Sequence, residues 1–386
     1  MTRNIYLAYF LSFCFNSVFW YGIWVLYYLK FTDYSGIGMI EMVMIVTSVV
    51  GEIPTGAIAD LLGKKYTLMV AFLLRGAGEI FMGLAGGFIH LVSSVFFISL
   101  GYTFYSGAFE ALIFDSLKQD KKEKRYSKVL ANVYTIGLIT SAASSIAGGL
   151  LYHFLPGLPF LATGTLSLMG MVGTLFLTEP AIDSIKFSLK NYLRQTKTGF
   201  CQLFQPALKL KTIRLLTLGT FFIILWEILG DSLVIEFGFH EQQLGIFYAV
   251  LFLVSAGAVQ FTPMIKRRFG TMRSIDIIGF IFMLTLIISP KLGLILGGIT
   301  TLIRMSFSQI LKTITSDALN QGIESKYRAT SLSTFGMLTS LPYVLTAVFI
   351  GQMMDILTAR VFAFYFGLAL LIVLIVQKLA FDRRQS

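Results

Sequence analysis

Ionisable side chains stand inside long apolar stretches of this chain: Glu52, Arg75, Glu79, Glu110, Glu227, Asp231, Arg304 and Lys312. At the centre of a bilayer such a group costs about 2.5–3.5 kcal/mol on insertion scales, so each needs a partner, water or a function. Glu52 lies eleven residues before Gly63 and Arg75 twelve after it. At about 1.5 Å per residue the two reach nearly the same depth on adjacent helical arms. With Glu79 one turn further on, a structural ion pair between Arg75 and one of these acids is expected. Glu110 differs, because Thr103, Ser106, Gly107 and Glu110 recur at i, i+3, i+4 and i+7 and aim a lone acid from a small, polar face. A carboxyl group placed there can trade a proton during a cycle. Pairing with Lys312 is the competing reading, and the two can coexist. Glu227 and Asp231, one turn apart beside Trp226, share a face, as do Asn16, Trp20 and Trp24. Carboxylates next to aromatic rings suit an organic cation. Arg304, Ser308 and Lys312 form a second stripe that suits a carboxylate or phosphate, or that balances the acids. Trp24, near the end of its stretch, fits an interfacial anchor.

The elements that position these groups follow from composition. Of 386 residues, 56% are hydrophobic and 13% charged, about half the charged share of a soluble domain. About 20 apolar residues cross the roughly 30 Å of bilayer hydrocarbon. On that measure twelve stretches qualify: 5–29, 36–60, 66–86, 88–114, 128–153, 157–178, 212–236, 243–265, 273–290, 292–315, 328–353 and 357–380. The first is too long for a cleaved leader and is expected to remain as a span. With the N-terminus inside, Lys64, Lys65, Lys118, Lys121, Lys122, Lys124, Arg125, Lys128, Lys266, Arg267, Arg268, Arg273, Lys326 and Arg328 fall on one side, and Lys30, Lys291 and Arg360 on the other. That bias places both termini in the cytoplasm. The net charge of +11 is thus an orientation signal and an attraction to anionic lipid, and nucleic acid is not an expected partner. Residues 1–180 form a first six-helix bundle, 181–211 a cytoplasmic amphipathic linker, and 212–386 a second bundle. In the linker Lys186, Lys190, Arg194 and Lys197 oppose Ile185, Leu189, Tyr192 and Leu193, ending before Pro206. The fold class expected is an all-α membrane protein of twelve helices in two pseudo-symmetric halves.

The halves echo each other. Gly38 and Gly63 recur 207 residues on as Gly245 and Gly270, and Asp115 recurs as Asp317 at an offset of 202. After the second stretch the chain reads Gly56-Ala57-Ile58-Ala59-Asp60-Leu61-Leu62-Gly63-Lys64-Lys65. This resembles G-x-x-x-D-x-x-G-[RK]-[RK], the loop signature of the major facilitator superfamily. The resemblance spans the whole chain in architecture and few residues in motif. It implies that Gly56, Asp60, Gly63, Lys64 and Lys65, with Asp115 at the end of the fourth span, latch the halves in one state. It also implies that spans 1, 4, 7 and 10 line a central cavity. On that basis Asn16, Trp20 and Tyr105 are cavity candidates in the first half, and Trp226, Glu227, Asp231, Arg304, Ser308 and Lys312 in the second. The second copy of the motif is degraded, with Pro263 for the first glycine and Arg267 for the acid. The span-4 arginine of many family members is missing around Thr103, and span 5 lacks the Gly-Pro pair typical of proton-coupled drug antiporters, which weighs against drug antiport. Glu52-Ile53-Pro54-Thr55-Gly56 and Ser106-Gly107-Ala108-Phe109-Glu110-Ala111 resemble patterns of bacterial efflux-type permeases.

These readings converge on a secondary transporter that moves a small organic solute by alternating access in the plasma (bacterial inner) membrane. Proton-coupled export of an amphipathic or cationic compound leads, with Glu110 as the proton-coupling candidate. Uptake of a small anionic metabolite and a non-transporting sensor are the alternatives. No phosphate loop with a following Lys-Ser or Lys-Thr occurs, so energy is expected from a proton or other ion gradient and no cofactor is expected. An intramembrane enzyme would need a nucleophile–base or metal constellation, and no buried His or Cys/His cluster is expected. Neither a metal site nor a disulfide between Cys14 and Cys201 is expected. The working partners are a small-molecule substrate and the lipid bilayer, with the chain a monomer.

Overall fold

The computed structural model describes residues 3–180, 189–206, 208–323 and 328–382; for 53–62, 189–193, 329–330 and 380–382 it describes the backbone alone. Among the described residues all regular structure is helical. In chain order the helices are α1 Arg3–Asn16, α2 Trp24–Tyr28, α3 Tyr34–Leu62, α4 Lys64–Gly83, α5 Phe88–Gln119, α6 Tyr126–Phe154, α7 Leu158–Leu175 and α8 Leu189–Leu203. They continue with α9 Lys209–Ile224, a π-helical turn Leu225–Leu229, α10 Gly230–Glu236, α11 Glu241–Val259, α12 Thr262–Phe269, α13 Thr271–Ile287, α14 Leu294–Gly322, α15 Arg328–Leu357 and α16 Ala359–Asp382.

Ten of these segments are long and apolar enough to cross a membrane, or eleven if the pair Thr262–Phe269 and Thr271–Ile287, bent by 111°, is one span. The expected twelve stretches are thus matched in part, by ten or eleven helical segments among the described residues. The first stretch is not a continuous helix: α1 ends at Asn16, and helix resumes only at Trp24. The run Val18-Phe19-Trp20-Tyr21 is β-branched and aromatic, poor helix material, and Gly22 takes φ +80°, which an L side chain resists. Broken backbone within a bilayer must find partners inside the protein. Here Arg75 Nη1 donates to the Phe15 carbonyl at 2.5 Å, Ser141 Oγ to Asn16 O at 3.2 Å, and the Phe19 amide to Thr163 Oγ1 at 3.1 Å. Gly148 lies so close that a Cβ there would overlap the Phe19 carbonyl. The eighth stretch is also shorter than expected. α11 stops at Val259, and Pro263 sits in the first turn of the separate, basic α12, a position proline favours.

The chain forms two compact units: Met1–Thr32 with Met42–Tyr192 and Glu241–Ala249, and Asp33–Glu41 with Leu193–His240 and Val250–Ser386. Each unit thus takes a short segment from the other half of the sequence. In the first, α4 packs on α5 and α7, and α1 on α6 and α7, around Ile5, Leu11, Phe15, Leu68, Phe72, Phe109 and Leu112. The borrowed α11 segment fits through Gly245, against the Ser145 carbonyl, and Gly149, against Glu241. In the second unit α13 packs on α14 and α16, and α15 on α9, with Phe222 stacked on Phe282 at 4.0 Å. There the borrowed start of α3 fits through Gly38, against the Ala347 carbonyl, and Gly351, against Tyr34. Asp355 accepts from the Tyr34 and Ser35 amides at 2.8 and 3.0 Å and so caps that helix. Large apolar side chains such as Leu345, 75% exposed, face outward, as a lipid-solvated surface requires.

Candidate functional site

The second unit holds a buried carboxyl cluster. Glu227 lies in the π-helical turn between α9 and α10, and Asp231 follows in the first turn of α10. A π turn adds one residue to the helix and shifts the faces on either side of it, a device common at functional sites. The Glu227 and Glu41 carboxyls, the latter on α3, stand within hydrogen-bonding reach of each other, and Asp231 stands near Glu41. Glu41 and Asp231 are buried. Tyr343 on α15 lies beside Glu41 and Glu227; it is fully buried, and its hydroxyl has no hydrogen-bond partner among the described residues. Trp226 is 41% exposed and, as a sequence neighbour on the helix, does not share the face of Glu227.

In the first unit, Glu110 is exposed on α5 and accepts hydrogen bonds from the Tyr134 and Tyr126 hydroxyls of α6. Of its expected stripe, Ser106 and Gly107 are exposed with it, while Thr103 is buried with its hydroxyl bonded to Ser99 O. Tyr105 points elsewhere, stacked on Phe15 with ring centroids 3.5 Å apart. Asn16 donates to the Ser12 carbonyl at 2.8 Å. Trp20 donates from Nε1 to Glu79 Oε1 at 3.0 Å and stacks on Phe160, so it is held within its bundle. Trp24 is also buried, at 9% exposure, which corrects its expected role as an interfacial anchor.

Arg75 and Glu79, both fully buried, approach to 4.0 Å between Nε and Oε1. The guanidinium also lies over the Phe15 ring, 4.2 Å from its centroid. Glu52, the other acid considered for Arg75, is exposed. On α14 the expected basic stripe grades from buried to open: Arg304 is fully buried, Ser308 half-buried and Lys312 exposed. Arg304 donates to Thr301 Oγ1 at 2.8 Å and reaches Thr285 O and Ser289 Oγ at 3.4 Å.

At the turn between α3 and α4, Gly63 has φ +84°. The Asp60 side chain lies outside the described residues, and Gly56 is described by its place in α3 alone. Lys64 pairs with Asp115. Glu179, which follows α7, accepts from the Lys64 and Lys65 amides at 2.8 and 2.7 Å. A carboxylate on the first turn of a helix satisfies orphan amides and complements the helix dipole. Across the repeat, Gly270 has φ +75° and Lys266 pairs with Asp317. The copy that looked degraded keeps both the turn and the ion pair.

A family model described as Major Facilitator Superfamily matches residues 5–311. The chain belongs to that superfamily. Members of it that resemble this one include YxaM of Bacillus subtilis (strain 168), described as an uncharacterized MFS-type transporter, 22% identical over 351 residues and covering 85% of this chain and 83% of that protein. Among solved structures, the nucleoside transporter NupG superposes with a TM-score of 0.81 at 15% identity, covering 98% of each chain. The POT family transporter PepTSo gives 0.73 at 14% identity, covering 99% of each. At these identities the likeness establishes the fold alone. This member of the superfamily is a multi-pass, all-helical membrane protein of a transporter family.

Two participants escaped the sequence reading. Glu41 stands in the same apolar stretch as Glu52 and met the criterion applied to the other acids, a charge within a span. Glu179 gave no such signal, because an acid at the end of a span is ordinary.

Proposed function

We propose that this superfamily member is a proton-coupled secondary transporter that exports a small amphipathic or cationic organic compound by alternating access. In this reading the chain crosses the plasma membrane twelve times, with the broken α1–α2 segment as the first crossing and both termini in the cytoplasm. The observation that supports it most is the close approach of the Glu41 and Glu227 carboxyls, within reach of a shared hydrogen bond. Two carboxyl groups can share a hydrogen bond only while one of them carries a proton. When that proton leaves, two like charges remain close together in a medium where their repulsion is weakly screened. A cation entering between them relieves it, so an organic ammonium and a proton compete for one place. Exchange of the two is antiport, and an inward proton gradient then drives the cation out. Asp231 adds to the attraction, and Tyr343 offers a hydroxyl to either state. Glu110, held by two tyrosine hydroxyls on an exposed polar face, serves as a second proton station.

Uptake of a small anionic metabolite is the second reading, and the exposed Lys312 one turn beyond Ser308 favours it. Purified protein in liposomes enclosing a pH-sensitive dye separates the two, with ethidium as the cationic probe and a sugar phosphate as the anionic one. Ethidium is expected to move protons in the opposite direction, and Glu227→Gln to lose that movement while remaining folded. Proton movement in the same direction as the sugar phosphate, with none on ethidium, overturns the export reading.

A further inference from the structure

We propose that a basic pocket at the loop between α5 and α6 is a binding site for a phosphate ester, the head group of an anionic phospholipid or a soluble phosphate of the same chemistry. The pocket lies wholly within the first unit and has a volume of about 280 Å³. Lys122, Arg125 and Lys128 line it, with Tyr9 and Asn132. Leu117 and Val129, both buried, form its apolar floor.

The local chain is shaped to bring the three cations together. α5 ends at Gln119, and Lys121 then takes φ +57°, a conformation that costs a non-glycine residue on the order of 1–2 kcal/mol. In exchange the Lys122 amide bonds back to the Leu117 carbonyl at 2.8 Å. A single turn, Glu123–Arg125, then leads into α6. Lys128 sits in the first turn of α6, whose N-terminal dipole adds to the positive field. Lys122 is balanced in part by Asp120 at 3.3 Å, and the Arg125 and Lys128 charges remain for a ligand. The Asn132 amide bonds the Tyr9 hydroxyl at 3.3 Å, so the neutral wall is tied between α1 and α6. A volume of about nine liquid waters exceeds what a lone ion fills and suits an ester with part of its glycerol. A phosphate brings a charge of roughly −1 to −2 and several strong acceptors, which three clustered cations match. The polar rim over an apolar floor fits a molecule whose phosphate leads to a hydrocarbon chain, and Lys and Arg clustered at the end of a membrane span suit anionic lipid head groups.

The test uses the full-length protein in detergent, read by native mass spectrometry for retained phosphatidylglycerol and by thermal melting with added phosphatidylglycerol, phosphatidylcholine or inorganic phosphate. The pocket variant is Arg125→Gln/Lys128→Gln. Its control, Lys118→Gln/Lys124→Gln, removes the same charge from exposed positions that do not line the pocket. Wild type and control are expected to retain phosphatidylglycerol over phosphatidylcholine, and the pocket variant to bind it about tenfold more weakly with its ligand-free melting unchanged. Protection of wild type by millimolar phosphate alone, lost in the pocket variant, supports the same site with a soluble ligand. Equal weakening in both double variants, or no preference for either phosphate source in wild type, overturns the proposal.

Discussion

Arg75 and Glu79 show how a membrane bundle tolerates full charges. Neither side chain is exposed, and the arginine is shared among Glu79, the Phe15 carbonyl and the Phe15 ring. Removing one member of a buried pair strands the other, at a cost of about 3–5 kcal/mol. Glu79→Gln is therefore expected to lower the melting temperature sharply, whereas Arg75→Met/Glu79→Leu, which leaves no charge, is expected to recover most of the loss; thermal unfolding in detergent measures both. The Lys64–Asp115 pair is partly exposed, at 18% and 14% of its side chains, so solvent reaches it and its loss costs less than that of the fully buried Arg75–Glu79 pair. Asp115→Asn should shift melting by only about 2 °C yet slow transport severalfold. The swap Lys64→Asp/Asp115→Lys should restore part of that rate, and a swap no faster than the single variant would count against a latch.

Helices here work through where they fail to be regular. The break after Asn16 is held by groups from α4, α6 and α7, and it depends on Gly148 leaving room for the Phe19 carbonyl. Gly148→Leu has no space, and overpacking of this kind costs about 1–3 kcal/mol or more. It is expected to reduce folded yield more than Gly107→Leu, whose Cβ meets open space; size-exclusion profiles of the two compare them directly. The π-helical turn at Leu225–Leu229 has the same character. Its added residue sets how Glu227 and Asp231 face Glu41, which simple i, i+4 counting from an ideal helix does not capture.

At the scale of the molecule, the two units carry matched devices: glycine turns at Gly63 and Gly270, ion pairs Lys64–Asp115 and Lys266–Asp317, and close glycine contacts at Gly38 and Gly245. Such matching is what an ancestral duplication of one bundle leaves behind. An even number of crossings with both ends inside follows from the proposed twelve-span reading. A reporter that fluoresces only in the cytoplasm is expected to be bright when fused to either terminus, and a dark fusion at one end would exclude an even count.

Apolar stretch length and the Gly56-to-Lys65 motif were enough to read a membrane transporter and its superfamily, because each depends on local composition meeting a fixed bilayer thickness or a short turn. Glu227 and Asp231 were legible for the same reason, as charges where apolar residues prevail. Their partner was not: Glu41 and Glu227 are joined only when helices remote in sequence pack together, and no spacing along the chain encodes that. Tertiary structure likewise turned Trp20 toward Glu79, left Glu52 exposed, and broke the first span, since a hydropathy run records which residues prefer lipid and not whether their backbone finds better partners outside a helix.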